Sequence, residues 1–152
     1  MDEAPSRIRH SSLALAASSP NEKAETSSAS TKPSIQEVFS SSKTLNRTPL
    51  KYPTGTLELR HYRVEIPSGG KIPLHTHPAP IMVYVQGVGS GSLFNTRVQS
   101  DGTEIETEFK PGEAFIEGTN EPYYVENAGG EPTIVWVTVA SIEGMPTTEF
   151  IK

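Results

Sequence analysis

From about residue 50 onward the chain consists of short apolar or alternating runs separated by turn residues, and this pattern constrains the fold most strongly. The runs are TLELRHYRVEI, KIPLHTH, IMVYVQG, GSLFNTRVQ, TEIETEF, EAFIE, PYYVEN and TIVWVTVA. The breaks between them, such as PSGG, SDG and NAGGEP, are rich in Gly, Pro and Asn. Strands at a spacing of roughly 8–12 residues with such turns predict an all-β sandwich or barrel.

Two of these runs carry more specific predictions. In QSDGTE, Asp101 and Gly102 favour a two-residue type I′ turn, whose twist matches that of paired antiparallel strands. The run TIVWVTVA, residues 133–140, is apolar at nearly every position and therefore on both faces. A strand that is apolar on both faces is expected in the interior of a sheet rather than at its edge.

The composition divides the chain into a tail over residues 1–45 and one folded domain over residues 46–152. Twelve serines fall within the first 42 positions, and Phe39 is the only aromatic residue of the tail. Such a segment buries too little apolar surface to offset its chain entropy, so the tail is predicted to be disordered. Ser34 and Glu37 have the spacing of a capping box, which predicts a single helical turn near residues 34–39.

Charge and cysteine content exclude several classes of function. The chain has no cysteine, which excludes disulfides, thiolate catalysis and cysteine metal sites. The net charge is -5 without a basic cluster, so neither nucleic acid nor an anionic membrane surface is an expected partner. The segment RIRHSSLALAASS leaves two alternatives open, a solvated tail or the remnant of an export signal. The compartment, cytoplasmic or exported, is therefore undetermined.

Two of the four histidines, His75 and His77, are separated by a single residue. On a strand they project from the same face, because side chains alternate with a period of two. Two neutral imidazoles side by side can bind one divalent transition metal. His61 is the other histidine of the folded part, and it is either a surface residue or a neighbour of the same site.

The surroundings of the two histidines extend this pattern into a recognisable arrangement. Five residues separate Gly69 from His75-Thr76-His77, MVYVQG ends in Gly87, and Asn127 follows the run PGEAFIE after a further loop and strand. This arrangement resembles the cupin superfamily over about residues 50–145. The resemblance implies a single-domain cupin-type jelly-roll β-barrel with one metal ion inside. It leaves the activity open, because cupins include dioxygenases, isomerases, lyases, sugar binders and storage proteins.

The chain departs from the cupin pattern at two of the four usual ligands. The glutamate that follows the paired histidines in the family is replaced here by Pro80 or Ile81, and the second-motif histidine is replaced by Tyr123. Glu117 is the best candidate for a third ligand, because a carboxylate that ends an apolar strand is unusual unless it faces a polar cavity or the rim. Tyr123 is either an acid, base or oxyanion partner or a packing aromatic.

The resemblance therefore implies one divalent first-row metal (Fe, Mn, Ni, Zn or Cu) held by His75, His77 and Glu117. The expected ligand is a small oxygenated organic molecule, with dioxygenase, isomerase or lyase chemistry. The alternative is a non-catalytic cupin that binds a ligand or serves a structural role with a decayed metal site. Small cupins commonly dimerise through sheet edges, so a homodimer is expected. The apolar residues predicted to form the cavity wall or the core are Met82, Tyr84, Phe94, Phe115 and Trp136.

Overall fold

A computed structural model describes residues 29–152, and within this range the chain forms nine strands and no helix. The strands are β1 (Leu57–Ile66), β2 (Lys71–Thr76), β3 (Ile81–Val85), β4 (Leu93–Val98), β5 (Glu104–Phe109), β6 (Ala114–Glu117), β7 (Tyr123–Glu126), β8 (Thr133–Ile142) and β9 (Glu149–Phe150). The eight apolar runs of the sequence correspond to β1–β8, whereas the two-residue β9 was not predicted. No helix in the described part of the chain is long and apolar enough to cross a membrane.

The strands form two antiparallel sheets. One has the order β1-β8-β3-β6 and the other the order β5-β4-β7-β2-β9. The inner faces contribute to one apolar core, in which Val83 and Val137 of the first sheet join Leu93 and Val125 of the second. The all-β jelly-roll class is confirmed, with the difference that no strand pairing among the described residues joins the two sheets into a closed barrel. β8 pairs with both β1 and β3, which confirms the interior position predicted for TIVWVTVA.

Strand alternation decides which apolar residues face the core. In β3, Val83 is 4% exposed whereas its neighbour Met82 is 37% exposed. Met82, Tyr84 and Trp136 line a groove on the outer face of the first sheet, and Phe94 precedes the inward-facing Asn95 on β4. Of the five apolar residues predicted for the cavity or core, only Phe115 is therefore placed there. The prediction failed for the other four because the outer faces of both sheets also carry apolar side chains.

A β-bulge in β2 sets the direction of the histidines. The register with β7 shifts between Ile72 and His75. The side chains of Ile72 and His75 both face the interior cavity. Without the shift, residues three positions apart would lie on opposite faces. A bulge inserts one residue and re-aims the side chains that follow it. Strand alternation thus predicts the shared face of the two histidines correctly, but not that this face is also the face of Ile72.

The hairpin between β4 and β5 is present, but its turn differs from the predicted type. Gly102 N donates to Gln99 O at 2.9 Å, and Gln99 N donates to Thr103 O at 2.8 Å. Gly102 has a φ of 84°, whereas Asp101 is not among the residues with positive φ. A type I′ turn needs positive φ at both central residues. The connection is therefore a longer loop with glycine in the left-handed region, and the type I′ prediction is wrong.

The N-terminal region differs from the prediction in two respects. Residues 34–39 contain no helical turn, and the carboxylate of Glu37 accepts a hydrogen bond from Ser40. The packed part of the chain also begins before residue 46. Thr44 is buried, and Leu45 N donates to the carbonyl of Ile116 in β6 at 2.8 Å. The export-signal-like segment and most of the predicted tail lie outside the described residues.

Candidate metal centre

Three predicted ligands come together at the inner face of the fold. His75 is the penultimate residue of β2, His77 directly follows that strand, and Glu117 ends β6 of the opposite sheet. All three are at most 4% exposed. Glu117 Oε2 lies 3.0 Å from His77 Nε2 and 4.0 Å from His75 Nε2. One donor atom from each residue lies within 4.8 Å of the others. Glu117 is not a solvated residue of the rim, because its side chain is buried.

Backbone carbonyls orient both imidazole rings. His75 Nδ1 donates to the carbonyl of Pro73 at 2.7 Å, and His77 Nδ1 donates to the carbonyl of Thr147 at the same distance. A carbonyl accepts only, so each Nδ1 carries the proton and each Nε2 of a neutral ring carries a lone pair. Both lone pairs are thereby directed to the Glu117 side of the ring, which is the tautomer that a metal ligand requires.

Strand register places Glu117 next to one of the positions at which the sequence lacks the usual glutamate. Ile81, one of the two positions at which the sequence lacks that carboxylate, pairs directly with Glu117 across β3 and β6. Paired residues on antiparallel strands have Cβ atoms about 4.5–5.5 Å apart and project from the same face. A carboxylate on β6 therefore reaches the region that one on β3 would reach. Glu117, on the strand next to β3, thus places a carboxylate in that region.

Asn95 fixes the second oxygen of this carboxylate, and sequence reasoning missed it. Its Nδ2 donates to Glu117 Oε1 at 2.7 Å, and the residue is completely buried on β4. A carboxylate only accepts, so the amide must present its NH2 group here. Asn95 Oδ1 has no partner within the described residues. Asn95 thus holds Oε1 and leaves Oε2 facing the histidines. The only hint in the sequence is a polar residue at an inward position of LFNTRV.

The two histidines differ in electrostatic environment. Burial lowers the pKa of His75. This desolvation outweighs the hydrogen bond to the Pro73 carbonyl and the charge of Glu117, both of which act to raise the pKa. Burial also acts to lower the pKa of His77, but the hydrogen bond and charge of Glu117, with the Thr147 carbonyl, outweigh it and raise the pKa above its ordinary value. Glu117 therefore favours the charged form of His77, and a divalent cation bound at this cluster would replace that proton.

Tyr123 lies beside the site but is bonded elsewhere. It is fully buried and pairs with His75 across β7 and β2. Its hydroxyl donates to Glu121 and accepts from Gly118 N at 3.2 Å. Burial, reinforced by Glu121, raises the pKa of this phenol. Tyr123 does not line the cavity, so the geometry favours the packing alternative over the predicted role as acid, base or oxyanion partner.

His61 belongs to the outer surface. It stacks on Trp136 with ring centroids 5.5 Å apart and contacts Thr138 Oγ1 at 3.0 Å through Nδ1. Its neighbour Tyr62 lines the cavity instead. Of the two alternatives, the surface position is confirmed, and His61 provides a matched control for experiments on the other two histidines.

The cavity above the three ligands has a volume of about 460 Å³. Eleven of its seventeen lining residues are Val, Ile, Leu or Phe. Tyr62 and Phe150, which are 41% and 61% exposed, mark its mouth, whereas the ligands lie at its buried end. The volume falls within the range of roughly 300–1,000 Å³ that small-molecule pockets occupy. The cavity and the cluster together form the candidate functional site.

The segment 143–151 forms a strap along this mouth. Arg60 donates to the carbonyl of Met145 at 2.6 Å and to Thr147 Oγ1 at 2.9 Å. Tyr62 Oη lies 3.0 Å from the same Thr147 hydroxyl, and Ile151 N donates to the carbonyl of Leu74. Because the Thr147 carbonyl accepts from His77, the strap also fixes the orientation of a candidate ligand.

The donor set fits a transition metal. Ligand atoms at about 2.0–2.2 Å from one ion lie roughly 3–4 Å from each other, and the 3.0 Å and 4.0 Å separations from Glu117 Oε2 agree with this spacing. Two imidazoles and one carboxylate form a mixed nitrogen and oxygen set, which suits Fe, Mn, Co, Ni, Cu and Zn rather than Ca²⁺ or Mg²⁺. The residues present therefore fit the metal that the sequence pattern predicts.

Comparison with known proteins identifies the fold family. A family model described as Cupin matches residues 26–144. A search of curated proteins gave no match. Many solved structures resemble the chain, and three of them are enzymes that represent two activities. They are an oxalate decarboxylase of Lactobacillus farciminis (21% identity, TM-score 0.52), an oxalate oxidase (23%, 0.53) and the Bacillus subtilis oxalate decarboxylase with its Mn(II) centres (22%, 0.53).

These alignments cover 61% of this chain but only 26%, 46% and 24% of the three structures. The chain thus corresponds to a quarter to a half of each of those proteins. At such identities the likeness establishes the fold and not the reaction. A decarboxylase and an oxidase on the same fold show that the reaction depends on the site, so the site residues must carry any functional conclusion.

Proposed function

The chain belongs to the cupin family, and on that premise we propose that it is a metal-dependent enzyme acting on a small oxygenated organic molecule. The observation that carries the proposal is the buried cluster of His75, His77 and Glu117 at the closed end of a cavity. Two imidazoles and one carboxylate leave further coordination positions free, as in mononuclear iron oxygenases and open catalytic sites.

When bound, a divalent metal at this cluster supplies a Lewis acid that polarises or activates an oxygen function. The protein contributes the remaining components. The carbonyls of Pro73 and Thr147 hold the two imidazoles in the ligating tautomer. Asn95 orients the carboxylate, and the apolar wall excludes water from the region where the substrate binds, which strengthens every electrostatic interaction there. The reaction types compatible with this arrangement are those of dioxygenases, isomerases and lyases.

The test begins with elemental analysis of protein purified without chelator, followed by reconstitution with Mn, Fe, Ni, Cu and Zn salts. We expect about one first-row ion per chain. His75→Ala and His77→Ala should each abolish retention of the ion, and Glu117→Gln should weaken it because the amide carries no charge. His61→Ala is the matched control, since this histidine lies on the outer surface and should leave retention unchanged. Wild-type protein that binds none of these ions would refute the proposal.

A second candidate function is a ligand-binding cupin without catalysis. It is favoured by the hydrogen bond at 3.0 Å between His77 Nε2 and Glu117 Oε2, through which two buried polar groups satisfy each other without a metal. In that case the cavity would still bind a small molecule. Protein that carries no ion after reconstitution but binds apolar ligands would support this alternative over the enzyme.

A further inference from the structure

The wall of the cavity has a composition that restricts the ligand. Apart from the metal cluster, the polar side chains of the lining are Tyr62, Thr147 and Thr148. Tyr62 and Thr147 lie at the mouth, where their hydroxyl oxygens are 3.0 Å apart. Thr148 Oγ1 lies 3.4 Å from His77 Nδ1. The remaining surface is apolar. A ligand that fills the cavity therefore places most of its body against aliphatic and aromatic carbon.

The charges at the closed end set a second limit. The lining residues include no Lys or Arg, as far as the described part of the chain extends. Arg60 is the cation near the mouth, and its guanidinium is already bonded to Glu58 and to the strap. With two neutral imidazoles and one carboxylate, a divalent ion leaves a net charge of about +1. A single anionic oxygen function neutralises that charge.

A dianion would leave an uncompensated negative charge in an apolar enclosure. Burying an unpaired charge is strongly unfavourable, because the protein offers no hydration and no counter-ion. A metal site that admits a small dicarboxylate needs a further cation or several donors aimed at the distal carboxylate. The amide of Asn95 is not available for this purpose, because Asn95 lies behind Glu117, to which it donates, and does not line the cavity.

We propose, on the basis of the metal site proposed above, that the substrate is neutral or monoanionic. It has an oxygen function at one end and an apolar body that fills the cavity. Small dianions such as oxalate are disfavoured. The proposal separates this chain from the oxalate enzymes whose fold it shares, and it rests on the wall and charges of this cavity.

The apolar body is tested first, in chelator-treated protein, so that the outcome is independent of the metal. Calorimetric titration with 2-butanone, 2-pentanone, 2-hexanone and 4-methyl-2-pentanone compares neutral ligands that share one head group. Each added CH2 should tighten binding about fourfold, since burying a methylene contributes about 0.8 kcal/mol. Affinity that does not rise with chain length would overturn the proposal.

The charge limit is tested in Mn-loaded protein. The titrants are pyruvate, 4-methyl-2-oxopentanoate and oxalate, and Mn content is measured after each titration. We expect 4-methyl-2-oxopentanoate to bind at least about tenfold more tightly than oxalate. Oxalate is the stronger ligand for free Mn(II), so this order can arise only from the cavity. Oxalate binding as tightly as the longer oxo acid would contradict the inference. Failure to load Mn would refute the metal proposal instead, and the ketone series would still decide on the apolar body.

Substitutions in the cavity wall test whether the ligands bind inside the cavity. Val64 lines the cavity near its mouth and is half-buried, so Val64→Phe should weaken binding of 4-methyl-2-pentanone at least about tenfold while Mn retention stays unchanged. Val88→Phe is the control, because Val88 is 90% exposed in the loop after β3. Should Val64→Phe fail to fold, the smaller change Val137→Leu at the same cavity replaces it. Equal ketone affinity in a folded cavity variant and the control would refute the assignment.

Discussion

Replacing Asn95 tests whether an orienting contact that no ligand motif encodes contributes to the site. We expect Asn95→Leu, which keeps the shape but removes the donor, to lower metal affinity. Asn95 Nδ2 lies 2.7 Å from Glu117 Oε1. Hydrogen bonds to charged groups contribute about 1.5–3 kcal/mol. The loss corresponds to about 10- to 100-fold in metal affinity, the range typical of groups that orient a metal ligand.

Asn95→Leu should destabilise mainly the metal-bound state. Without the metal, the carboxylate in the variant is free to turn both oxygens toward His77. Metal binding removes that freedom and leaves Glu117 Oε1 buried without a donor. The assay is a Zn²⁺ or Co²⁺ titration in competition with a chromophoric chelator, and the Co²⁺ absorption spectrum reports a changed ligand geometry that a general loss of stability would not produce.

The control for this experiment is Asn46→Leu. Asn46 also donates an amide to a carboxylate, that of Glu121 at 3.3 Å, but outside the cluster. It should leave the affinity within about twofold of wild type. Equal affinities for wild type and Asn95→Leu would refute the orienting role. An equal loss in both variants would show that the effect is not specific to the site.

Three further predictions concern the strap, the N-terminal boundary and assembly. Arg60→Ala should loosen the strap and speed ligand exchange in stopped-flow measurements. Arg63→Ala, which removes only an exposed ion pair with Glu65, should leave the exchange rate unchanged. Equal rates for the two variants would refute the role of the strap. Deleting residues 1–45 should lower the melting temperature by several degrees relative to deletion of residues 1–34, because it removes the packing of Thr44 and Leu45, and indistinguishable melting would argue against that contribution. The homodimer stays a prediction, which light scattering at tens of micromolar protein checks and a monomeric mass would contradict.

Much of the fold follows from local sequence patterns. Alternation and turn composition predicted eight strands and the interior position of β8. Both features depend on the polarity of consecutive residues, so they can be recognised locally. The turn at Asp101-Gly102 was assigned the wrong type, since the same dipeptide also suits a longer loop. The helical turn at Ser34 was wrong because a capping spacing without tertiary packing does not make a helix stable.

The ligand set was predictable only in part. The pair His75 and His77 is adjacent in sequence, so one periodicity argument is enough to bring it together. Glu117 follows from the end of an apolar strand, but its position opposite Ile81 depends on strand register, which single-sequence patterns do not define. The contribution of Asn95 and the Thr147 carbonyl arises from segments 22 and 70 residues away from the groups they bind. Contacts of this kind are products of the tertiary fold.

The central claim is that His75, His77 and Glu117 bind one metal ion at the closed end of the cavity. Anomalous diffraction from crystals soaked with Mn²⁺, recorded on both sides of the absorption edge, tests it most directly. We expect a single anomalous peak per chain, bonded by the Nε2 atoms of both histidines and by the carboxylate of Glu117. The absence of a peak at this cluster would contradict the metal centre, and a peak at the histidines with Glu117 turned to solvent would contradict the role of the carboxylate.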